Sequence, residues 1–382
     1  MTPSIDFAAH EWNDWRWQLK HAARSVNDLI ALGLISSEDS AYSDQLATRY
    51  KTLISPYYLS LIDPHNPQCP IRKQALPSIE ELKDVKGELS DPIGDQIYSP
   101  TPIIVHRYPD RALLFPTFEC PMYCRYCFRK ETLNDSSIRL HQALPDALKY
   151  INNHPQIQEV ILSGGDPLML SDDKLKRLMI QVINAGVRRI RIHSRMVVTL
   201  PQRITHNLGS IFEELSSEVH LMMVTHFNHP KELTEDSCHA LKTMRDSGVS
   251  LLNQSVLLKG VNDHVHTLKK LSHQLINNSV FPYYLHHPDL TKGTQHFRLS
   301  ISEGLQLYKK LRGQISGYLI PRYVIEIPRG GGKVEVDSSA VQKGDKYGEW
   351  WLESPLTGER YPYIDLTHLN SNDCPEGESH DS

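Results

Sequence analysis

The stretch Cys120-Pro-Met-Tyr-Cys124-Arg-Tyr-Cys127 follows directly on an apolar run at 112–118 that reads as a β-strand. The Cys-x3-Cys-x2-Cys spacing puts three thiols on one tight loop. Thiolates are the ligands of iron–sulfur clusters. Three of them leave one iron of a 4Fe–4S cube open, free to hold a small molecule and pass it an electron. Free cysteines or a zinc site are the other readings, but structural zinc takes four ligands, usually as two pairs. The loop lies at the C-terminal end of its strand, where α/β barrels keep their chemistry.

Outward from this loop the pattern is regular. Strand-like runs at 112–118, 160–163, 189–193, 219–224, 251–258 and 282–285 alternate with amphipathic helices. In the helix at 172–185, Ser171 is placed to cap the start, Leu175, Leu178, Met179 and Val182 form a buried stripe, and Gly186 ends it. Leu268, Leu271 and Leu275 form a similar stripe. Six such strands imply parallel βα units and a partial (β/α)6 barrel across 111–300. Before it, residues 1–110 form an N-terminal arm. Trp15, Leu19, Ala22, Val26 and Leu29 lie on one face of a helix that Gly33 stops, and residues 50–110 are rich in proline and turn signals, with a short helix at 79–85. After it, 301–369 forms a C-terminal segment with a strand at 323–328 followed by Arg329-Gly-Gly-Gly-Lys333. The polar stretch 370–382 reads as disordered.

The chain has 382 residues, 40% hydrophobic and 23% charged, with a net charge of −4. These are ordinary values for a globular enzyme, and they give no argument for a nucleic-acid or membrane partner. No apolar run is long enough to span a bilayer, and residues 1–10 lack a signal-peptide pattern, so a cytoplasmic enzyme is expected. Cys69, Cys238 and Cys374 are scattered, suggest no disulfide framework, and suit a reducing compartment. Cys238, on a helix with Leu241, reads as a buried apolar residue.

Three further segments are candidates for chemistry. Ser163-Gly164-Gly165-Asp166-Pro167-Leu168 ends a strand, and its glycines would let backbone approach a ligand, unless it is an ordinary strand-to-helix turn. Thr225-His226-Phe227-Asn228-His229-Pro230 ends another strand, and Gln254 interrupts an apolar one; a core hydrogen bond and a ligand contact are both open for these. Gly330-Gly-Gly-Lys333 lacks the rest of a phosphate-loop pattern, so a Schiff-base lysine on flexible glycines is the alternative.

Together these segments resemble the lysine 2,3-aminomutase family of radical S-adenosylmethionine (SAM), pyridoxal phosphate (PLP)-dependent enzymes. The likeness covers about residues 12–365. It runs through Trp12-Asn-Asp-Trp15, Tyr58-Leu-Ser-Leu-Ile-Asp63, His106-Arg-Tyr-Pro-Asp-Arg111, the Cys loop with Phe128-Arg129, Leu200-Pro-Gln-Arg-Ile-Thr205, Pro282-Tyr-Tyr284 and Pro355-Leu-Thr-Gly-Glu-Arg360. The resemblance implies that Cys120, Cys124 and Cys127 bind the 4Fe–4S cluster. It implies Lys333 as the catalytic, PLP-bearing lysine, with Arg107 and Arg111 at the PLP phosphate. Gly164, Gly165, Asp166, His226 and Gln254 fall at SAM positions. Arg129 would take the substrate α-carboxylate, and Asp289 and Glu326 the distal ammonium. Two departures stand out: Glu326 where the family usually has Asp, and Arg329 where lysine-specific members often have Gly, adding a cation near the acids. Cys374 stands alone, so no structural zinc is expected.

The resemblance therefore implies an isomerase that moves the α-amino group of a basic amino acid, first of all L-lysine, to the β-carbon. It implies a flavodoxin- or ferredoxin-type reductant and a homo-oligomer. Arginine, ornithine and a role in elongation factor P modification are alternatives. A SAM-cleaving enzyme without PLP and an iron–sulfur electron carrier are readings of a different class.

Overall fold

The computed structural model describes residues 10–36, 42–134 and 140–365. Nine strands form one sheet in sequential order: β1 (Ile104–Tyr108), β2 (Arg111–Thr117), β3 (Glu159–Gly164), β4 (Arg189–His193), β5 (His220–Thr225), β6 (Ser250–Val256), β7 (Phe281–His286), β8 (Arg322–Ile327) and β9 (Gly332–Glu335). Neighbours from β2 to β8 pair parallel, while β1 and β9 are antiparallel caps at the two ends. The expected partial barrel is what forms, with β2–β7 as its six anticipated strands. The strand expected in the C-terminal segment adds a seventh parallel member, β8, so the sheet continues past residue 300. A second sheet of three antiparallel strands, β10 (Val341–Lys343), β11 (Glu349–Glu353) and β12 (Arg360–Ile364), follows.

Parallel strands covered on both faces need nearly continuous apolar runs. In β3, Val160, Ile161 and Leu162 are all buried, and helices on the outside bury the complementary stripes. The helix Asp172–Asn184 buries Leu175, Leu178, Met179 and Val182, the stripe read from its periodicity. Each such side chain contributes about 1.5–3 kcal/mol on leaving water, so a charged residue at Leu178 would be expected to break this layer. Ser171 sits at the N-cap position but its hydroxyl makes no cap bond.

The arm departs from its expected form. The single helical face read across 15–29 is split into Trp15–Lys20 and Val26–Ala31. Ser25 begins the second helix with a capping box to Asp28, and Ala23 is held extended against Ile54. A cap in mid-run is a strong stop to the preceding helix. The short helix expected over 79–85 is a 3-10 turn, Ile79–Leu82. The arm wraps back onto the barrel: Ile54, Tyr57 and Tyr58 are buried in the main core. Cys69 is the fully buried lone cysteine, whereas Cys238 is half-buried. The tail from 370 and Cys374 lie outside the described residues. No helix among the described residues is long and apolar enough to cross a membrane.

Candidate active site

The C-terminal ends of the parallel strands open into a cavity of about 520 Å3. It gathers every sequence-predicted site residue: Cys120, Cys124, Cys127, Gly164, Gly165, Asp166, His226, Gln254, Arg107, Arg111, Arg129, Asp289, Glu326 and Lys333 all line it.

At one end sits the Cys loop. Burial raises the Cys120 thiol well above its ordinary range and the Cys127 thiol to about 11, and the neighbouring cysteines add to this. Bare thiols are disfavoured as thiolates here, as expected of a cavity whose thiolates are stabilised by bound metal. Among the described residues no group of three His, Cys, Asp or Glu converges as on a single metal ion; three cysteines on one cavity wall instead suit a cube, which presents a separate iron to each. Arg195, on the loop after β4, donates from Nη1 to Cys124 Sγ at 2.9 Å.

The Gly-Gly segment has a packing role that was not read from the sequence. A Cβ on Gly165 would lie 2.3 Å from the Glu119 carbonyl oxygen, and one on Gly164, at φ +96°, 2.8 Å from that of Thr117. The glycines therefore let this loop pack against the segment leading into Cys120, with Gly165 and Asp166 N–H donating to Thr117 and Glu119 carbonyls, both at 2.8 Å. The close approach is to the chain's own backbone. Asp166 turns its carboxylate onto the loop, accepting from Ser194 Oγ (2.8 Å) and the N–H groups of Leu168 (3.0 Å) and Arg195 (2.8 Å). Burial raises its pKa to about 6 despite these bonds.

His226 stacks on Tyr126, with ring centroids 5.7 Å apart. Burial, with Arg195 nearby, lowers its pKa to about 3, so the imidazole is neutral. The buried amide in β6 is Asn253, not Gln254. Asn253 bonds Thr225 Oγ1 and the Phe227 backbone, while Gln254, one residue on, faces the cavity. Alternation along a strand decides this.

At the other end, Lys333 lies in β9 directly opposite Glu326 in β8. Its Nζ is 3.2 Å from Glu326 Oε1 and 4.5 Å from the Tyr284 ring centre. The triple glycine forms the hairpin between these strands, with Gly330 and Gly332 at φ +90° and +93°. A strand-to-helix phosphate loop is therefore excluded, and the glycines fix the lysine's register. Arg107 donates to Glu326 Oε2 (3.4 Å) and Asp95 (3.3 Å), and its buried Nε has no partner among the described residues. Arg111 stacks on Tyr108 at 3.9 Å, and the Tyr108 hydroxyl accepts from the Lys333 N–H at 3.0 Å. An amine beside two arginines and stacked aromatics suits an aldehyde cofactor with a phosphate.

Asp289 lines the cavity just after β7, and among the described residues its side chain makes no hydrogen bond or ion pair. Burial first, then the nearby Glu326 charge, raise its pKa to about 7. Arg329 corrects an expectation: it is exposed, outside the cavity lining, and held at φ +61° with its N–H on the Pro92 carbonyl. No extra cation reaches the acids from that position.

Two contributors were not read from the sequence. Asp95 accepts from Arg129 Nε (3.0 Å) and Nη2 (2.8 Å). Nothing in the turn-rich arm singled it out. Arg195, in Ser194-Arg195, stands just past the end of β4, where strand-end position was an available signal.

Comparison with known proteins fits this geometry. A model described as the radical SAM superfamily matches residues 114–271. An L-lysine 2,3-aminomutase of Clostridium subterminale is 42% identical over 89% of this chain and 82% of its own length. One of Fusobacterium nucleatum is 43% identical over 85% and 76%. A glutamate 2,3-aminomutase of Clostridioides difficile is 35% identical over 94% and 85%. With likeness of this degree running along most of both chains, and the strand-end cavity that it spans, the chain belongs to the lysine 2,3-aminomutase family of radical SAM isomerases, whose cofactors are a 4Fe–4S cluster, SAM and PLP.

Proposed function

We propose that this protein moves the α-amino group of a basic amino acid to the β-carbon, with L-lysine as substrate and β-lysine as product. The observation that carries the substrate class is Asp289: an acid in the cavity that also holds Glu326 and Lys333, its carboxyl making no hydrogen bond or ion pair among the described residues. A carboxylate left without a cation in a water-poor site is costly unless a ligand supplies one.

In this reading Cys120, Cys124 and Cys127 hold the cluster. Gly164, Gly165, Asp166, His226 and Gln254 form the SAM side of the cavity. Lys333 bonds PLP, with Arg107 and Arg111 at its phosphate. When bound, the cluster and SAM supply a carbon radical that takes a hydrogen from the substrate β-carbon, and PLP carries the amino group as it migrates. The chain's own work is to bind, orient and shield. Arg129, held by Asp95 through Nε and Nη2, takes the α-carboxylate. Asp289 and Glu326 take the distal ammonium. Glu326 faces Lys333 Nζ at 3.2 Å and Arg107 at 3.4 Å, and would orient the distal ammonium from this side of the cavity. Apolar walls such as Leu113, Ile161 and Phe297 keep water from the radical.

Two acids at the far end would repel a glutamate side chain. The extra methylene of Glu326 is the feature that favours ornithine or arginine as a second reading. A low-potential reductant such as flavodoxin or ferredoxin, a homo-oligomer and a cytoplasmic setting complete the proposal.

The test is an anaerobic assay of reconstituted protein with lysine, ornithine, arginine and glutamate, alongside borohydride reduction and peptide mapping. Lysine should give β-lysine, and the pyridoxyl group should map to Lys333. Efficient glutamate turnover, with Asp289→Ala harmless, would overturn the basic-substrate reading.

A further inference from the structure

We propose that Arg195 is a positioning residue that sets the reduction potential of the cluster, by donating a hydrogen bond and fixing a positive charge at the Cys124 sulfur. The inference rests on the reading above that Cys120, Cys124 and Cys127 hold the cluster.

Arg195 is an unusual neighbour for a ligand sulfur because each of its three side-chain nitrogens has an acceptor. Nη1 donates to Cys124 Sγ at 2.9 Å. Nη2 donates to Gln74 Oε1 (2.6 Å), Glu232 Oε1 (2.7 Å) and the Tyr58 hydroxyl (3.2 Å). Nε points to the His226 carbonyl at 3.3 Å. The side chain is 8% exposed and Glu232 is fully buried. Glu232 is itself pinned by Tyr58 Oη and by the N–H groups of Asn228 and His229. The guanidinium therefore cannot swing away from the sulfur without abandoning several partners. Cys120 and Cys127 lie instead by backbone N–H groups, of Asp166 and Arg129. Among the described residues, Cys124 alone of the three accepts from a charged side chain.

Cluster potentials depend on net charge, solvent exposure and hydrogen bonds to the sulfurs. Reduction adds a negative charge to the cluster. A cationic donor on one ligand sulfur stabilises the reduced form more than the oxidised one, and burial strengthens the effect. Arg195 also ties this sulfur to the SAM side, since its own N–H donates to Asp166 Oδ2 at 2.8 Å. The bland alternative is that Arg195 serves only to neutralise Glu232.

The experiment is a mediator titration of the anaerobically reconstituted, full-length protein, read by the EPR signal of the reduced cluster. Removing Arg195 alone would strand Glu232, so the main variant is Arg195→Met combined with Glu232→Gln. At unchanged iron content its potential should fall by at least tenfold in the reduction equilibrium, about 60 mV for one electron. Arg195→Lys, which keeps the charge but loses the fork, should recover part of the shift. An unchanged potential in the double variant overturns the proposal. Should the variants fail to assemble, wild-type protein carrying 15N only in arginine guanidinium groups decides by pulsed EPR: a nitrogen coupling to the reduced cluster supports the proposal, and its absence overturns it. Failure of the underlying reading shows separately, as Cys124→Ala protein that keeps its full iron content.

Discussion

The two ends of the cavity differ in how their charges are satisfied. Around the Cys loop the buried strong charges Arg195, Arg125 and Lys130 meet protein partners. Arg195 is held by Glu232, and Arg125 and Lys130 both bind the fully buried Glu81. At the lysine end Asp289 has no partner, and the buried nitrogens Arg107 Nε, His193 Nε2 and His286 Nε2 are unbonded among the described residues. The first end is built by the protein alone. The second is completed by what binds there.

Two carboxyls show the contrast in pKa. Burial alone would raise Glu81, but Arg125 and Lys130 outweigh it and hold its pKa at about 2. Of these two cations Arg125 is the firmer partner, since burial pushes Lys130 down from its ordinary value. Asp289 is moved the other way, to about 7.

The largest effect should come from the cluster end. Cys124→Ala, or the same change at Cys120 or Cys127, should abolish SAM cleavage and remove the iron seen by metal analysis. Two thiolates cannot hold the cube with one iron open.

Next in size is the buried ion group. Glu81→Gln leaves Arg125 and Lys130 without their acid and should cost about 3–5 kcal/mol, read as a lowered denaturant midpoint. The wild type should show the matching pH dependence. A depressed carboxyl stabilises the fold above its unfolded pKa, so this contribution should fade as pH drops from about 4.5 towards 2. A flat profile in that window, with a mild Glu81→Gln, would erase the contrast between the ends.

At the lysine end the effect should fall on binding. Asp289→Ala should raise the KM for lysine on the order of a hundredfold, from about 3 kcal/mol of lost pairing, while the borohydride-trapped PLP on Lys333 persists. A KM within a few-fold of wild type would mean that Asp289 does not meet the ammonium.

The pH behaviour of Asp289 has the opposite sign to that of Glu81. A raised carboxyl favours the fold below its unfolded pKa, and that contribution is lost as pH rises through the folded pKa. The ligand-free protein should therefore lose some stability between pH about 4 and about 7, and Asp289→Asn should flatten this window. Lysine should bind more tightly as pH rises through 7, with proton release visible by calorimetry in buffers of different ionisation heat.

The smallest expected change is Glu326→Asp, which shortens one acid by a methylene. It should shift the preference between lysine and the other basic amino acids by a few-fold, measured as the ratio of kcat/KM values. A lysine preference gained would mark Glu326 as tuned to a different basic substrate, and one lost would mark lysine as the natural one.

Local chemistry made much of this molecule legible. The strands of the barrel and the stripe Leu175, Leu178, Met179 and Val182 followed from their patterns, a continuous buried run in β3, alternation in β4 and β6, and a helical stripe over them. The cysteine spacing and the hairpin lysine were legible because the groups lie close in sequence. Other features depended on partners far along the chain. Ser25 ends a helical face that looked continuous, since Ala23 pairs with Ile54. Asn253, not Gln254, takes the core bonds because strand alternation points it at Thr225 and Phe227. Arg329 reads as a cation near two acids, yet the hairpin turns it outward.

The sequence by itself therefore determined which groups are available: three thiols on a loop, a lysine after glycines, a set of acids and arginines. Only the tertiary structure decided which of them are spent on each other. Asp95 holds Arg129 from 34 residues away, Arg195 reaches Cys124 across 71, and the Asp289 carboxyl is left without an ion pair among the described residues. Pairing of charges depends on distance and burial, and neither is set until the arm and the strand ends have closed around one cavity.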